Sequence, residues 1–342
     1  MPSTRNTRRF CSLLISFALL LGLCACSLPP GKSSCTLFAM DTYMSLTAYG
    51  ENAEAGLEAA ADTLRSLDKL LEPETEGSAV YRLNHGETVQ DEAVLSMLHT
   101  CEAVFEASGG AFDPTVYPIV KVWGFVDAQY RVPTEAEIQT LLECVDFAQV
   151  TVTNTGAGLP DGMALNFGAV AKGYAAQHAA DAMRAAGVES GILSLGGNVQ
   201  TLGEKPSGGL WEIAVQDPFD ESVSVGTLSV GGGTAVITSG SYRRFFEQDG
   251  KTYHHIFDPR SGYPCDSDLR SVTVVCQDGA LADALSTALF VLGEEAALRL
   301  QAELDTFELL LITEDGRIVL TGGLSDVFTP RKDSPYVLSY PQ

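Results

Sequence analysis

An aspartate and a threonine four residues apart, Asp283 and Thr287, stand in a run of small residues, Ala282-Asp283-Ala284-Leu285-Ser286-Thr287-Ala288-Leu289. At helical pitch the two side chains stack on one face. A carboxylate and a hydroxyl so placed can share a Mg2+ ion, which takes oxygen ligands and keeps places for water and a substrate phosphate. The alternative is that Asp283 caps the helix. The neighbouring alanines imply close packing, where an uncompensated carboxylate is costly and a cation would satisfy it.

Three other segments suit an anionic ligand. In Leu165-Asn166-Phe167-Gly168-Ala169-Val170-Ala171-Lys172-Gly173-Tyr174 an apolar strand end passes through glycine into a helix, whose first N–H groups can receive phosphate. Lys172 falls in its first turn, against the helix dipole unless an anion is near. An ordinary strand-to-helix connection would have the same composition. Ser194-Leu195-Gly196-Gly197-Asn198-Val199 follows a short apolar strand, and its paired glycines allow close backbone approach to a flat or phosphorylated ligand, or simply make a turn. Thr238-Ser239-Gly240-Ser241-Tyr242-Arg243-Arg244 and Tyr253-His254-His255-Ile256-Phe257-Asp258-Pro259-Arg260 gather basic and hydroxyl residues in an otherwise acidic chain. If Tyr253 to Phe257 is a strand, His254 and His255 face opposite sides. At most one of them then points into the pocket, so one is structural, and the alternation does not say which.

The elements that must hold these residues show in the hydrophobic periodicity. Helices are expected over Glu51–Leu71, Asp91–Ala107, Pro133 to about Glu143, Ala169–Ala186, Leu281–Leu292 and Glu294–Glu303. Strands are expected over Val150–Thr153, Gly191–Ser194, Trp211–Gln216, Val223–Val230, Ala235–Thr238 and Ser271–Cys276. Phe307–Thr313 and Arg317–Leu320 flank an Asp-Gly turn and form a hairpin. The order is mixed, which predicts an α+β fold with largely antiparallel sheets layered with helices.

With these segments in place, the chain resembles the FAD:protein FMN transferases of the ApbE type. Met40-Asp41-Thr42, Phe112-Asp113-Pro114-Thr115-Val116 and Trp123-Gly124-Phe125 precede the four segments in the family's order. The resemblance implies a T-fold-like architecture, a flavin nucleotide pocket and a Mg2+ ion on Asp283, Thr287 and the carbonyl of Ala169. It implies FAD contacts at Met40, Asp113, Asn166 and Lys172, a lining of Gly196, Gly197 and Asn198, and Ser239 and Arg243 in the same pocket. His255 matches the histidine the family is thought to use in catalysis, and Asp283 is the alternative proton acceptor. The implied reaction moves FMN from FAD to a threonine or serine of an exported or membrane redox protein, with AMP leaving. Water in place of the acceptor would make the site an FAD pyrophosphatase, and binding without chemistry would make a flavin-binding lipoprotein. Asn166 stands where many members have aspartate, and Ala79 stands where an acidic residue commonly follows Ser78.

The first residues carry Arg5, Arg8 and Arg9 ahead of an uncharged run, Phe10 to Leu23, too short to span a bilayer with ordinary margins and typical of a secretory leader. Leu23-Cys24-Ala25-Cys26 resembles a lipobox, with Cys26 as the lipidated residue and Cys24 disfavoured by the bulk of Leu23. The expected organisation is a leader over 1–25, a lipidated tether over 26–34, one domain over 35–335 and a tail over 336–342. The expected location is the outer face of the cell membrane. Removal of the leader, with three arginines and no acidic residue, takes the net charge from −23 to −26. Such a surface repels nucleic acid and anionic lipid, so an anionic ligand must be held by local donors or a metal. Cysteines 35, 101, 144, 265 and 276 have irregular spacing and an odd count, which argues against a disulfide framework.

Overall fold

The computed structural model describes residues 31–341; the leader and Cys26 lie outside the described residues. Nine strands form one sheet whose spatial order equals chain order: Lys32–Ala39, Thr42–Tyr49, Ser190–Leu195, Asn198–Leu202, Ala235–Gly240, Leu269–Cys276, Glu308–Thr313, Arg317–Leu320 and Val337–Ser339. Every neighbouring pair is antiparallel except the last, which is parallel. The sheet is therefore a meander, and its longer connections carry the remaining elements.

Alternation along these strands separates two cores. Leu193, Leu195, Ile237, Val272, Val274, Leu309 and Leu311 point to a helical layer. That layer holds the helices Ala53–Leu71, Glu92–Ala107, Ala171–Ala185 and Gly279–Leu292. Val236, Val275, Leu310 and Ile312 point the other way, onto a three-stranded sheet of Trp211–Gln216, Ser224–Val230 and Phe328–Pro330. A third cluster around Trp123, Phe125, Ile119, Ile138 and Phe257 sits apart. The fold is α+β, as the mixed order of elements predicts.

The local signals account for most boundaries. Asp91 accepts hydrogen bonds from the N–H groups of Ala93 and Val94, and Thr134 with Glu137 completes a capping box, each satisfying first-turn N–H groups that would otherwise be unpaired. Two ends differ from the expected organisation. Lys32 to Ser34, read as tether, pair with Tyr49 to Thr47 in the sheet, and Val337–Ser339, read as tail, forms the ninth strand. The five cysteines beyond residue 30 are free, with Cys101 and Cys265 buried.

Candidate active site

Strand turns at one end of the sheet converge on the proposed chemistry. The first hairpin turns through Met40 and Asp41, both at positive φ (48° and 56°), and the Met40 N–H donates to Asp68 Oδ1 at 2.7 Å. Beside it, Gly196 and Gly197 turn at φ +59° and +105°. A Cβ on Gly196 would lie 2.3 Å from Thr42 Oγ1, and one on Gly197 would lie 2.7 Å from an Arg243 guanidinium nitrogen. Gly196 has no room for a side chain beside Thr42, and at both positions the backbone conformation favours glycine. The Arg243 guanidinium spans Gly196 O (3.2 Å) and Gln216 Oε1 (3.4 Å). These groups line a cleft of about 320 Å3 with Tyr43, Ser194 and Thr238, on the sheet face opposite the helices.

Asp283 lies on the helical face. The Gly279–Leu292 helix is capped by Asp278, whose side chain accepts from Leu281 N, so Asp283 is not its cap. It reaches instead to the neighbouring helix, where its Oδ2 accepts the Gly173 N–H at 2.9 Å. The two helices cross backbone to backbone: a Cβ on Gly173 would meet Gly279 O at 1.9 Å, and one on Gly279 would meet Gly173 O at 2.5 Å. In an uninterrupted helix the Gly173 N–H would return to the carbonyl of Ala169. With that N–H taken by Asp283, no donor reaches the Ala169 carbonyl among the described residues.

The result is a group of oxygens around a helix N-terminus. Asp283 is 3% exposed, and among the described residues it has the one backbone partner and no cation within salt-bridge distance. Thr287, one turn on, has its Oγ1 3.4 Å from Ser239 Oγ, which bonds Ser286 Oγ at 2.8 Å. Carboxylate, hydroxyl and carbonyl oxygens are the donors a hard divalent cation takes. A buried carboxylate with one hydrogen bond is the group such an ion would satisfy, so the residues fit Mg2+.

Lys172 donates from Nζ to Gly168 O at 3.0 Å. Asn166 Oδ1 accepts from Gly168 N at 3.2 Å, so the side chain shapes the loop before the helix. Asn84 fixes that loop from outside, donating to Leu165 O and accepting from Leu165 N, both at 2.9 Å. Asp113 belongs to the loop's support: it is buried and accepts from Thr115 N, Thr115 Oγ1 and Phe147 N. Its burial raises its pKa against those hydrogen bonds. The carboxylate implied as an FAD contact is thus enclosed and shared among three donors, and its role here is to position the Pro114–Val116 turn. Asn198 is 2% exposed and its Nδ2 has no partner among the described residues.

The histidine pair is resolved by its hydrogen bonds. The expected strand breaks after His254, and the next strand starts at Phe257. His254 donates from Nε2 to Cys265 O (3.0 Å), accepts the Ile256 N–H at Nδ1 (3.2 Å), and meets Phe290 edge-on. Both nitrogens are engaged, and burial lowers its pKa; it is the structural histidine. His255 is half-buried, and its Nδ1 donates to Arg244 O at 3.1 Å. A carbonyl only accepts, so Nδ1 carries the proton and Nε2 keeps its lone pair. Enclosure by protein and then the cationic Arg244 push its pKa down to about 3, well below the ordinary value assumed for a base near neutrality.

The site residues thus divide between the two sheet faces. Asp283, Thr287, Ser239 and the Ala169 carbonyl share the helical side, with Lys172 in the first turn of the helix that Asp283 contacts. Arg243 faces the opposite cleft, with Gly196 and Gly197 at the strand turn between. Gly173, Gly279, Asn84 and the Arg244 carbonyl, none singled out from the sequence, do the positioning. A glycine inside a helical pattern is the one prior signal, for Gly173; Asn84 and Arg244 act across the fold and leave no local trace.

Against known proteins, the ApbE family model matches residues 40–311. The chain is 36% identical over 284 residues to a FAD:protein FMN transferase of Klebsiella pneumoniae, covering 80% of this chain and 86% of that one. It is 32% identical over 292 residues to one from Treponema pallidum, covering 80% and 81%. Among solved structures, the ApbE protein of Thermotoga maritima superposes with a TM-score of 0.81 at 29% identity, over 88% of this chain and all of that one. The Pseudomonas stutzeri flavinyl transferase ApbE, in its apo form, gives 0.78 at 27% identity, over 90% and 99%. With most of its described length matched in both sequence and fold, this chain belongs to the ApbE family.

Proposed function

We propose that the protein is a Mg2+-dependent transferase that moves FMN from FAD to a threonine or serine hydroxyl of another exported protein, releasing AMP. The observation that carries this reading is the Asp283 carboxylate, buried and, among the described residues, with a single backbone partner beside Thr287 and the Ala169 carbonyl, which no donor there reaches. The relatives' names, FAD:protein FMN transferase, supply the substrate and the acceptor class.

Asp283, Thr287 and the Ala169 carbonyl would hold the ion, which when bound neutralises charge on the pyrophosphate and polarises the phosphorus. Lys172 adds a positive group at the start of the same helix, whose N-terminal N–H groups favour anions. The acceptor hydroxyl attacks the FMN phosphorus, the bond to the AMP oxygen breaks, and AMP leaves as the anion. His255 Nε2, held lone-pair outward by the Arg244 carbonyl, is positioned to take the hydroxyl proton. Its low basicity makes it a weak acceptor that is never blocked by protonation near neutral pH. We further propose export and lipid anchoring at Cys26, which would put the acceptor, a redox subunit, on the same membrane face.

Incubation with FAD, Mg2+ and a threonine-bearing acceptor tests the reading. Flavin fluorescence that stays with the denatured acceptor supports transfer. Free FMN without labelled acceptor would reassign the protein as a pyrophosphatase, and intact FAD would reduce it to a binding protein.

A further inference from the structure

The helix crossing that carries Asp283 is bonded twice, and the second bond comes from Gln177. Its side-chain Oε1 accepts the Gly279 N–H at 2.8 Å, while Asp283 Oδ2 accepts the Gly173 N–H at 2.9 Å. The two bonds mirror each other. On each helix a glycine lies against the other backbone, and the residue four positions later, on the same face, accepts the N–H of the opposite glycine. The Asp283 Cβ lies 2.8 Å from where a Cβ on Gly173 would stand, and the Gln177 Cβ lies 3.5 Å from the corresponding point at Gly279. The shorter acceptor serves the closer side.

Gly279 is buried at the first position of its helix, so its N–H is one of the donors that no carbonyl of that helix can satisfy. Asp278 takes the Leu281 N–H and leaves this one to Gln177. A backbone N–H only donates, which fixes the amide oxygen of Gln177 toward it. Loss of that oxygen would strand a buried donor, at a cost the helix escapes by shifting its first turn. Asp283 stands one turn further along. The proposed metal ligands come from both helices, Asp283 and Thr287 from one and the Ala169 carbonyl from just ahead of the other. A shift at Gly279 therefore carries the carboxylate and the hydroxyl together away from the carbonyl. Gln177 is neutral, so its bond holds the register whether or not a cation draws on the charge of Asp283.

We propose that Gln177 is a positioning residue of the metal site, which sets the register of the two helices, and with it the approach of Asp283 and Thr287 to the Ala169 carbonyl, before the cation arrives. The proposal rests on the Mg2+ reading above. Gln177→Met keeps the side-chain length and removes the acceptor, Gln177→Asn is one methylene short, and Gln177→Glu keeps the acceptor. Mn2+ takes the same oxygen ligands as Mg2+, and the EPR signal of the free ion measures its binding to the whole protein without turnover. Loss of a group that holds a metal ligand in place costs about 10–100-fold in affinity, so Gln177→Met should bind Mn2+ at least about tenfold more weakly than the parent, with Gln177→Asn in between. Gln177→Glu should bind at least as tightly as the parent, its added charge lying at the same crossing as Asp283. Melting in chelator shows which variants fold. A merely structural role would lower the melting temperature of Gln177→Met in chelator and leave its Mn2+ affinity at the parent value. Parent affinity in whichever of the Met and Asn variants folds overturns the proposal, and so does equal weakening in Gln177→Met and Gln177→Glu. A parent protein that binds no Mn2+ removes the metal reading itself, a result distinct from parent binding that the variants match.

Discussion

Among the described residues Asp283 is held by a single backbone N–H while lying almost wholly inside the protein, and a carboxylate in that state gains most from a cation. Replacement by asparagine keeps an oxygen for the Gly173 N–H and removes the charge. Asp283→Asn is therefore expected to melt near the parent in chelator but to lose the stabilisation by Mg2+, which for one site amounts to about 2.7 kcal/mol at a hundredfold excess over Kd. An unchanged Mg2+-induced rise in Tm would take the carboxylate out of the metal site. His255 carries a second expectation. Its pKa in the fold is about 3 against an ordinary 6.5, so between those values the unfolded chain binds a proton that the native state refuses. Stability then falls as pH drops from about 6.5 toward 3, and His255→Gln should flatten that slope in denaturant titrations at pH 4 to 6. By the same logic the transfer rate should show no titration near pH 6.5 that disappears with His255. The family resemblance singled out both residues, but the depressed pKa left no trace in the sequence, because it comes from enclosure by the surrounding protein and then from the Arg244 side chain.

The crossing of the Ala171–Ala185 and Gly279–Leu292 helices sets the geometry of the proposed metal site. Gly173 and Gly279 bring the backbones into contact, which places Asp283 at the other helix's N-terminus and diverts the N–H owed to Ala169. Gly173→Ala pushes a methyl into Gly279 O, and backbone cannot step aside as a side chain tip can. We expect a loss of about 1–3 kcal/mol, the range for overpacking, together with weakened Mg2+ binding, read by thermal melts with and without the ion. Gly168→Ala is the control, since a Cβ there meets its nearest neighbour, Asn166 Oδ1, at an ordinary 3.5 Å. Equal losses in the two variants would mean that the crossing has no special part in the site. Both helices were evident from their 3.6-residue periodicity within two residues at either end. Their contact was not, because a crossing point depends on the partner's surface, which no local pattern encodes. The first hairpin was missed for a related reason: its strands run Lys32–Ala39 and Thr42–Tyr49, with polar Ser, Thr and Tyr residues mixed among the apolar ones. The turn that joins them uses Met and Asp at positive φ where Asn-Gly would have marked it.

At the scale of the whole molecule the dominant quantity is charge. The chain carries 44 acidic against 21 basic side chains, yet the proposed site places Lys172, Arg243 and Arg244 around one end of the sheet. These act at short range. FAD approaching from solution first meets the far field of the protein, which is negative, and the pyrophosphate is negative as well. Over distances beyond the Debye length, about 10 Å at 0.1 M salt, only that repulsion is screened, while contacts at the buried carboxylate and the helix N-terminus are largely untouched. At fixed saturating Mg2+, the association rate of FAD is therefore expected to rise as NaCl increases from about 20 to 200 mM, and the dissociation rate to change little. Stopped-flow quenching of flavin fluorescence separates the two rates. An association rate that falls steeply with salt would mean that the basic groups steer the dinucleotide from a distance, and that the acidic surface is arranged so as to leave the mouth of the site positive.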